Sequence, residues 1–461
     1  MKKTKIVIAG GGFAGLTAAT YLDKGLARRS DIEVVLISRE NFILFTPMLH
    51  EVAAGDLSPS DIINPLRRIL RRVKIVQADV QSIDLNTRRL LCSGGVAQID
   101  FEIEFDHLLL ALGSETNFFD LPGVSDWAVT MKSLSDAAFL RNRVVALLEE
   151  ANLQDDPAIR RQLLTFVIAG AGFSGVETAG AINDFVREAV AYYPDLDEEL
   201  IRVVLVHPGQ SVLPELGEEL GKYAQRRLCE RGVEVIGNIQ VEAYNDGSLV
   251  RLSAGNSLAA ATLIWTAGVK PGPVIASLPI QKERGRVLVS QFLSVPGISG
   301  LWAAGDCAAV PVGTTGNFHP PTAQHGLRQG TVAAKNIEAA ILGRPLAPFV
   351  FRTLGQLASI GHRTGVAMVF GIKFSGFIAW CLWRTVYLLK LPRLEKKLRV
   401  ISGWTLELLF SREIEQMITL RDVEELTSRL TRIRERTEKE ISAAGRPVPD
   451  PEEHITLLRG K

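Results

Sequence analysis

Two glycine-rich turns, each set between an apolar strand and a helix, constrain this chain more than any other feature. The first lies in KIVIAGGGFAG, with Gly10, Gly12 and Gly15; the second lies in LTFVIAGAGFSGVE, with Gly170, Gly172 and Gly175. Both have the GxGxxG spacing of a dinucleotide-binding βαβ unit. There the glycines permit a tight turn and close backbone approach to a pyrophosphate, which sits on the positive end of the following helix. One such turn is weak evidence, because glycine turns also serve packing alone. Two in one chain, both correctly flanked, point to two dinucleotides bound together, one resident and one exchanged.

A length of 461 residues suits two or three domains and easily buries a core. The net charge of +1 gives no cue to nucleic acid as a partner. The cysteines Cys92, Cys229, Cys307 and Cys381 are far apart, so they offer neither a disulfide framework nor a zinc site, and no metal is expected. The basic, then apolar N-terminus superficially resembles a secretory leader. Its apolar run contains the first nucleotide turn, however, and is read as strand and helix.

The periodicity gives strands at 5–9, 33–38 and 74–80, helices at 13–27 and 133–151, and a β-meander near 88–105. Ser133 is a candidate N-cap. A second strand–helix set begins at 164, and a further strand, GLWAAGDC at 300–307, follows a turn-rich stretch. The expected fold is α/β: two Rossmann-like dinucleotide-binding domains, with the second inserted in the first, and a C-terminal amphipathic helical region. The expected boundaries are 1–125 and 286–350 for the first dinucleotide-binding domain, 126–285 for the inserted one, 351–420 for the C-terminal region, and 421–461 for a charged tail.

An acidic residue commonly ends the second strand of such a unit and binds the adenosine ribose. Here Ser38 stands in that place, followed by Arg39 and Glu40; Ser38 can still bond a ribose, and Glu40 can substitute. Asp306 ends a strand beside Gly305, where a carboxylate can orient the ribityl hydroxyls of a flavin or simply cap the next helix. With two nucleotide turns in the chain, the flavin reading is favoured. Gly113 and Gly268, in the strand-end segments LLLALGS and LIWTAG, join the cofactor-binding set.

Several segments taken in order then resemble the type II NADH:quinone oxidoreductases, single-subunit respiratory dehydrogenases that do not pump protons. These are ENFILFTPMLHEVAAG (40–55), DHLLLALGSETNFFDLPG (106–123), GAGFSGVETAG (170–180), LIWTAGV (263–269), LWAAGDC (301–307), PPTAQHGLRQG (320–330) and SGFIAWCLWR (375–384). The resemblance covers roughly 1–415. It implies FAD in the N-terminal unit, NADH or NADPH in the inserted unit, a membrane quinone as acceptor, and a C-terminal membrane-binding region. It places FAD contacts on Gly12, Gly15, Thr46, Val80, Ala111, Asp306, Ala323 and Gln324.

Glu177 follows the second turn. There a carboxylate is favoured by the helix dipole, and the resemblance puts it near nicotinamide and flavin. His207 stands where family members selective for NADH usually carry an acid, which implies relaxed or NADPH-leaning specificity. Because a flavin performs the hard step, no side-chain triad is expected, and catalytic roles fall on Glu177, Gln324 and Arg328. Disulfide reduction needs a cysteine pair that FILFTPMLHEVAAG lacks, and Cys307 reads as a small buried residue.

The family's AQxxxQ quinone motif matches Gln324, with Arg328 at the partner position and Gln329 one step round the helix. His319 and His325 are nearby proton-donor candidates that more often serve structure. The segment 365–391 is apolar but interrupted by Lys373, Arg384 and Lys390, so a spanning helix is not expected. Trp380, Trp383, Tyr387 and Trp404 suit a membrane interface, and Lys390, Arg393, Lys396, Lys397 and Arg399 suit anionic head groups. Residues 365–404 are therefore read as a lipid-binding surface of a peripheral protein on the cytoplasmic face. A dimer interface is the alternative use of that surface, and a homodimer is expected. Two other functions compete: a soluble flavoprotein with a diffusible acceptor, and a flavin-binding redox sensor with little turnover.

Overall fold

The computed structural model describes residues 3–416 except Thr314, Arg352, Leu354 and Leu408, so the expected tail at 421–461 lies outside the described residues. The N-terminal apolar segments build a seven-stranded sheet. In space its strands run Leu301–Ala303, His107–Leu110, Thr4–Ala9, Ile32–Ser38, Lys74–Asp84, Arg89–Gly94 and Ile99–Glu104. The first five are parallel, and the last two continue Lys74–Asp84 as an antiparallel meander. Ile6, Val7, Ile8 and Ala9 are all fully buried. Successive strand residues point to opposite faces, so this central strand is covered on both sides, which explains its unbroken apolar run.

A second, five-stranded parallel sheet runs Val129–Thr130, Thr262–Trp265, Thr165–Ala169, Arg202–Val206 and Val233–Ile236. Its strands fall in sequence between His107–Leu110 and Leu301–Ala303, which are neighbours in the first sheet. The chain therefore leaves one sheet, completes another, and returns beside the strand it left. The long helix Leu134–Leu153 enters the inserted unit through a reciprocal cap. Asp136 N donates to Ser133 Oγ at 3.1 Å, and Ser133 N donates to Asp136 Oδ2 at 2.9 Å.

The C-terminal region departs from the helical reading over 365–375. Gly355–Ser359, Gly365–Val369 and Ile372–Ser375 form an antiparallel three-stranded sheet, and helices begin only at Gly376–Lys390 and Leu394–Glu407. The reason is local. Phe370 and Gly371 take φ of 50° and 81°, the paired positive values of a two-residue hairpin turn, and β-branched residues flank them.

The expected interfacial tryptophans are also inside. Trp380, Trp383 and Trp404 are buried, and their partners explain it. Trp383 Nε1 donates to Glu177 and Trp404 Nε1 to Glu51, while Trp380 lies under the Arg384 guanidinium, 4.0 Å from the ring centre. Lys396 is buried too, donating to Ser60 O, so it is not a head-group ligand. One hydrophobic core joins Phe45–Ile62, the helix Phe173–Val190 and the C-terminal elements.

Candidate functional site

The two glycine turns have the same geometry. Gly10 has φ +112°, and a Cβ there would lie 2.1 Å from Ala111 O; Gly170 has φ +103°, with Ala267 Cα 3.0 Å away. Gly15 and Gly175 would each drive a Cβ to 1.8 Å from the carbonyl oxygen of that first glycine. Gly12 and Gly172 face open space, with nothing within 4 Å of an added Cβ. Each is the N-cap of its helix, and neither helix start is capped by a side chain. Backbone N–H groups and the positive helix end are thus presented at two open turns, the chemistry a pyrophosphate requires. The residues present fit a dinucleotide at each.

Around the first turn, Ser38 is buried with its hydroxyl against Gly11, where a Cβ would come to 2.3 Å. Arg39 extends to Asp79 at 2.7 Å and is exposed. Asp306 Oδ2 accepts from Ser114 Oγ at 2.8 Å, and Lys132 Nζ donates to the same hydroxyl at 2.9 Å. Gly113 is left-handed with open space beyond it, whereas the space at Gly268 is filled by Phe119, 2.7 Å from a built Cβ. Val80 is buried in its strand, Thr46 is exposed at the start of a short turn, and Ala323 opens the helix Ala323–Ile341. The buried thiol of Cys307 is pushed up by burial to about 11, so it is no thiolate nucleophile at neutral pH.

Glu177 lies where three parts of the chain meet. Its Oε1 accepts from Ser359 N at 3.2 Å and from Trp383 Nε1 at 2.9 Å. Its Oε2 faces His50 Nδ1 at 3.7 Å. Burial pushes the carboxyl up to about 8, against the two donors, and pushes His50 down to about 3. At neutral pH both groups are therefore uncharged, and their approach is not an ion pair. Trp383 packs edge-on to His50 and to Tyr387, and Tyr387 continues through Phe45 to Phe13, the residue after Gly12. A run of rings leads from the first nucleotide turn to Glu177, two residues beyond Gly175.

On the helix Ala323–Ile341, Gln324 Nε2 donates to Gly355 O at 3.3 Å. Arg328, one turn on, donates to Gln324 O at 2.9 Å and lies 4.1 Å over the Phe351 ring. Gln329 points elsewhere. Its Oε1 accepts from Gly305 N at 2.8 Å, which braces the turn that carries Asp306. His325 shares a 2.7 Å hydrogen bond with Thr322 Oγ1 and is pushed down to about 4, mainly by burial; His319 is lowered by burial as well. At the second turn, His207 is 4% exposed and lowered by burial, and its Nε2 has no hydrogen-bond partner among the described residues.

A family model described as pyridine nucleotide-disulphide oxidoreductase matches residues 4–330, and one described as the NDH2 C-terminal domain matches 354–413. The type II NADH:quinone oxidoreductase Ndh of Mycobacterium tuberculosis is 32% identical over 433 residues, with 91% of each chain covered. The type II NADH:quinone oxidoreductase of Staphylococcus aureus is 30% identical over 382 residues, covering 81% of this chain and 92% of that one. The chain belongs to the type II NADH:quinone oxidoreductases. A solved structure of NDH2 from Plasmodium falciparum in complex with NADH superposes with a TM-score of 0.81 at 19% identity, covering 90% of this chain and 100% of that one; it shows the shared fold.

The protein is accordingly an FAD flavoenzyme that oxidises NADH and reduces quinone. For a type II enzyme, the structure brings Glu177 together with the C-terminal region, sets Gln324 and Arg328 on one helix face, and turns Gln329 away from them. Sequence reading missed His50, Ser359 and Tyr387 as neighbours of Glu177. His50 stood inside a matched segment, but nothing local marks a histidine as facing a residue far along the chain.

The Glu177 carboxyl makes a signed pH test. Its folded-state value, about 8, lies above the unfolded carboxylate value near 4.3, so between these the folded protein holds a proton that the unfolded chain has lost. Wild-type stability is expected to fall relative to Glu177→Gln as pH rises through that window, by up to about 1.4 kcal/mol per unit. Denaturant unfolding of both proteins across pH measures it; parallel curves would contradict a protonated Glu177.

Proposed function

We propose that the first turn, with Gly10, Gly12 and Gly15, holds FAD together with Ala111, Gly113, Asp306 and the braced Gly305 turn. The second, with Gly170, Gly172 and Gly175, receives the exchangeable nucleotide, and the quinone approaches the Gln324–Arg328 face. The observation that carries this reading is the run of rings from Phe13, beside the first turn, to Trp383, which bonds Glu177 in the helix that follows the second. When bound, FAD supplies the two-electron relay between nicotinamide and quinone. The chain's own work is to orient both partners, exclude water with the packed rings, and hold a proton on Glu177 beside the path.

NADPH is proposed as a second donor. An acid at His207 would repel a 2′-phosphate. A buried, neutral histidine neither repels nor attracts one. Steady-state turnover with a short-chain ubiquinone analogue tests both parts of the reading. Quinone-dependent oxidation of NADH and of NADPH is expected, and His207→Asp is expected to cut kcat/KM for NADPH relative to NADH on the order of tenfold or more. A wild type that already rejects NADPH would sink the nucleotide proposal; NADH oxidation that ignores quinone would sink the acceptor.

The C-terminal helices are proposed to lie on a lipid surface at the cytoplasmic face. Among the described residues no helix is long and apolar enough to cross a membrane. The exposed apolar side chains of the C-terminal helices include Phe377, Ile378, Leu389, Leu394, Leu398, Ile401 and Leu406, and Arg68, Arg393 and Arg399 gather around the single Glu395. Sedimentation with anionic vesicles is expected to carry the protein down, and Phe377→Glu with Leu398→Glu to release it. Retention of the double variant, or a dimer that masks the same face without lipid, would contradict the lipid assignment.

A further inference from the structure

A hydrogen-bonded chain of three side chains crosses from the inserted domain to the first nucleotide site. Lys132 Nζ donates to Ser114 Oγ at 2.9 Å, and Ser114 Oγ donates to Asp306 Oδ2 at 2.8 Å. Asp306 and Ser114 follow the neighbouring parallel strands Leu301–Ala303 and His107–Leu110, at the edge where Gly10 follows Thr4–Ala9. Such a strand edge is where a sheet of this kind holds its ligand. Ser114 also directly precedes Glu115–Thr116, which pairs with Val269–Lys270 where the chain returns from the inserted domain. Lys132 belongs to that domain and comes just before the cap Ser133. It is exposed, yet its backbone is pinned, because Asp136 Oδ2 accepts from Lys132 N, Ser133 N and Thr130 Oγ1.

Chemistry sets the direction of these bonds. An ammonium has only donors, so Ser114 Oγ accepts from Lys132 and its single hydrogen is left for Asp306. Asp306 Oδ2 is thereby fixed as an acceptor, while Oδ1 accepts from no group among the described residues. The Lys132 charge also offsets that of the carboxylate. We propose that Lys132 is a positioning residue for FAD: acting through the Ser114 hydroxyl, it holds the Asp306 carboxylate so that Oδ1 can accept from a ribityl hydroxyl. The inserted domain thus completes the cofactor site of the other domain. This rests on the reading of Asp306 as an FAD ligand, given above.

FAD-loaded variants of the full chain test it by two readouts. These are the rate of FAD release on dilution, followed as the rise in flavin fluorescence, and the midpoint potential of the bound flavin. Lys132→Met is expected to release FAD about tenfold faster. It is also expected to lower the potential, because the uncompensated Asp306 charge opposes added electrons. Lys132→Arg, which keeps a charged donor, is expected to retain most of both properties. Ser114→Ala is expected to match Lys132→Met in FAD release, and the double variant to lose no more than either alone. Wild-type FAD release in Lys132→Met or in Ser114→Ala, additive losses in the double variant, or an unshifted potential in Lys132→Met overturns the proposal. Ser114→Ala leaves the helix cap untouched, so its release rate decides the matter should Lys132→Met fail to fold. Asp306→Asn separates the two levels. Unchanged FAD release in that variant brings down the Asp306 reading itself, whereas fast release there beside wild-type release in Lys132→Met overturns this inference alone.

Discussion

Burying the Glu177 carboxyl is the constraint on which the rest of the site depends. A carboxyl taken out of water must find donors or keep its proton, and here it does both. The donors come from far along the chain, Ser359 N from the C-terminal sheet and Trp383 Nε1 from the helix after it. Without Glu177, both N–H groups would lose their acceptor. Without the C-terminal region, Glu177 would face water and ionise. Gly180, one turn on, lets the two parts approach, because a Cβ there would meet the Ile360 backbone at 2.7 Å. Nucleotide helix and C-terminal region therefore hold each other in place.

A second buried network fastens the same region nearby. Arg384 pairs with Glu407 at 2.6 Å and lies over Trp380 and Trp404, while Arg412 reaches Glu188 at 2.8 Å and also Asp56. Glu51, deep under Trp404, is raised well above the usual carboxylate range by burial. Breaking such a buried pair by removing one partner leaves an uncompensated charge, which costs about 3–5 kcal/mol. The consequence is positional. The segment Leu49–Ala53, which carries His50 and Glu51, is held from both sides and keeps His50 against Glu177.

What was legible in the sequence was whatever depends on neighbours in the chain. The glycine turns, the central strands and the Ser133 cap were all readable, because tight turns, alternate burial and helix ends are local events. The hairpin at Phe370–Gly371 was local too, but its apolar residues match a helix as readily as a strand over so short a run. The tryptophans misled for a different reason. An indole with one wet edge and an indole donating to a buried carboxyl look alike until the carboxyl is known to be there. Gln329 and Arg328 are adjacent in sequence, yet one step round the helix sends one to Gly305 and the other to Phe351. The sequence had no means of pairing His50 with Glu177, since that contact exists only after both sheets and the C-terminal region have packed.

The proposed electron path runs in from NADH at the second turn and out to quinone beside Gln324 and Arg328, with FAD between. Anaerobic mixing followed through flavin absorbance tests it most directly. NADH alone should bleach the bound flavin fully, and quinone added afterwards should restore it without oxygen, one quinone consumed per NADH. A flavin that NADH does not bleach, or that stays bleached in the presence of quinone, would contradict the account.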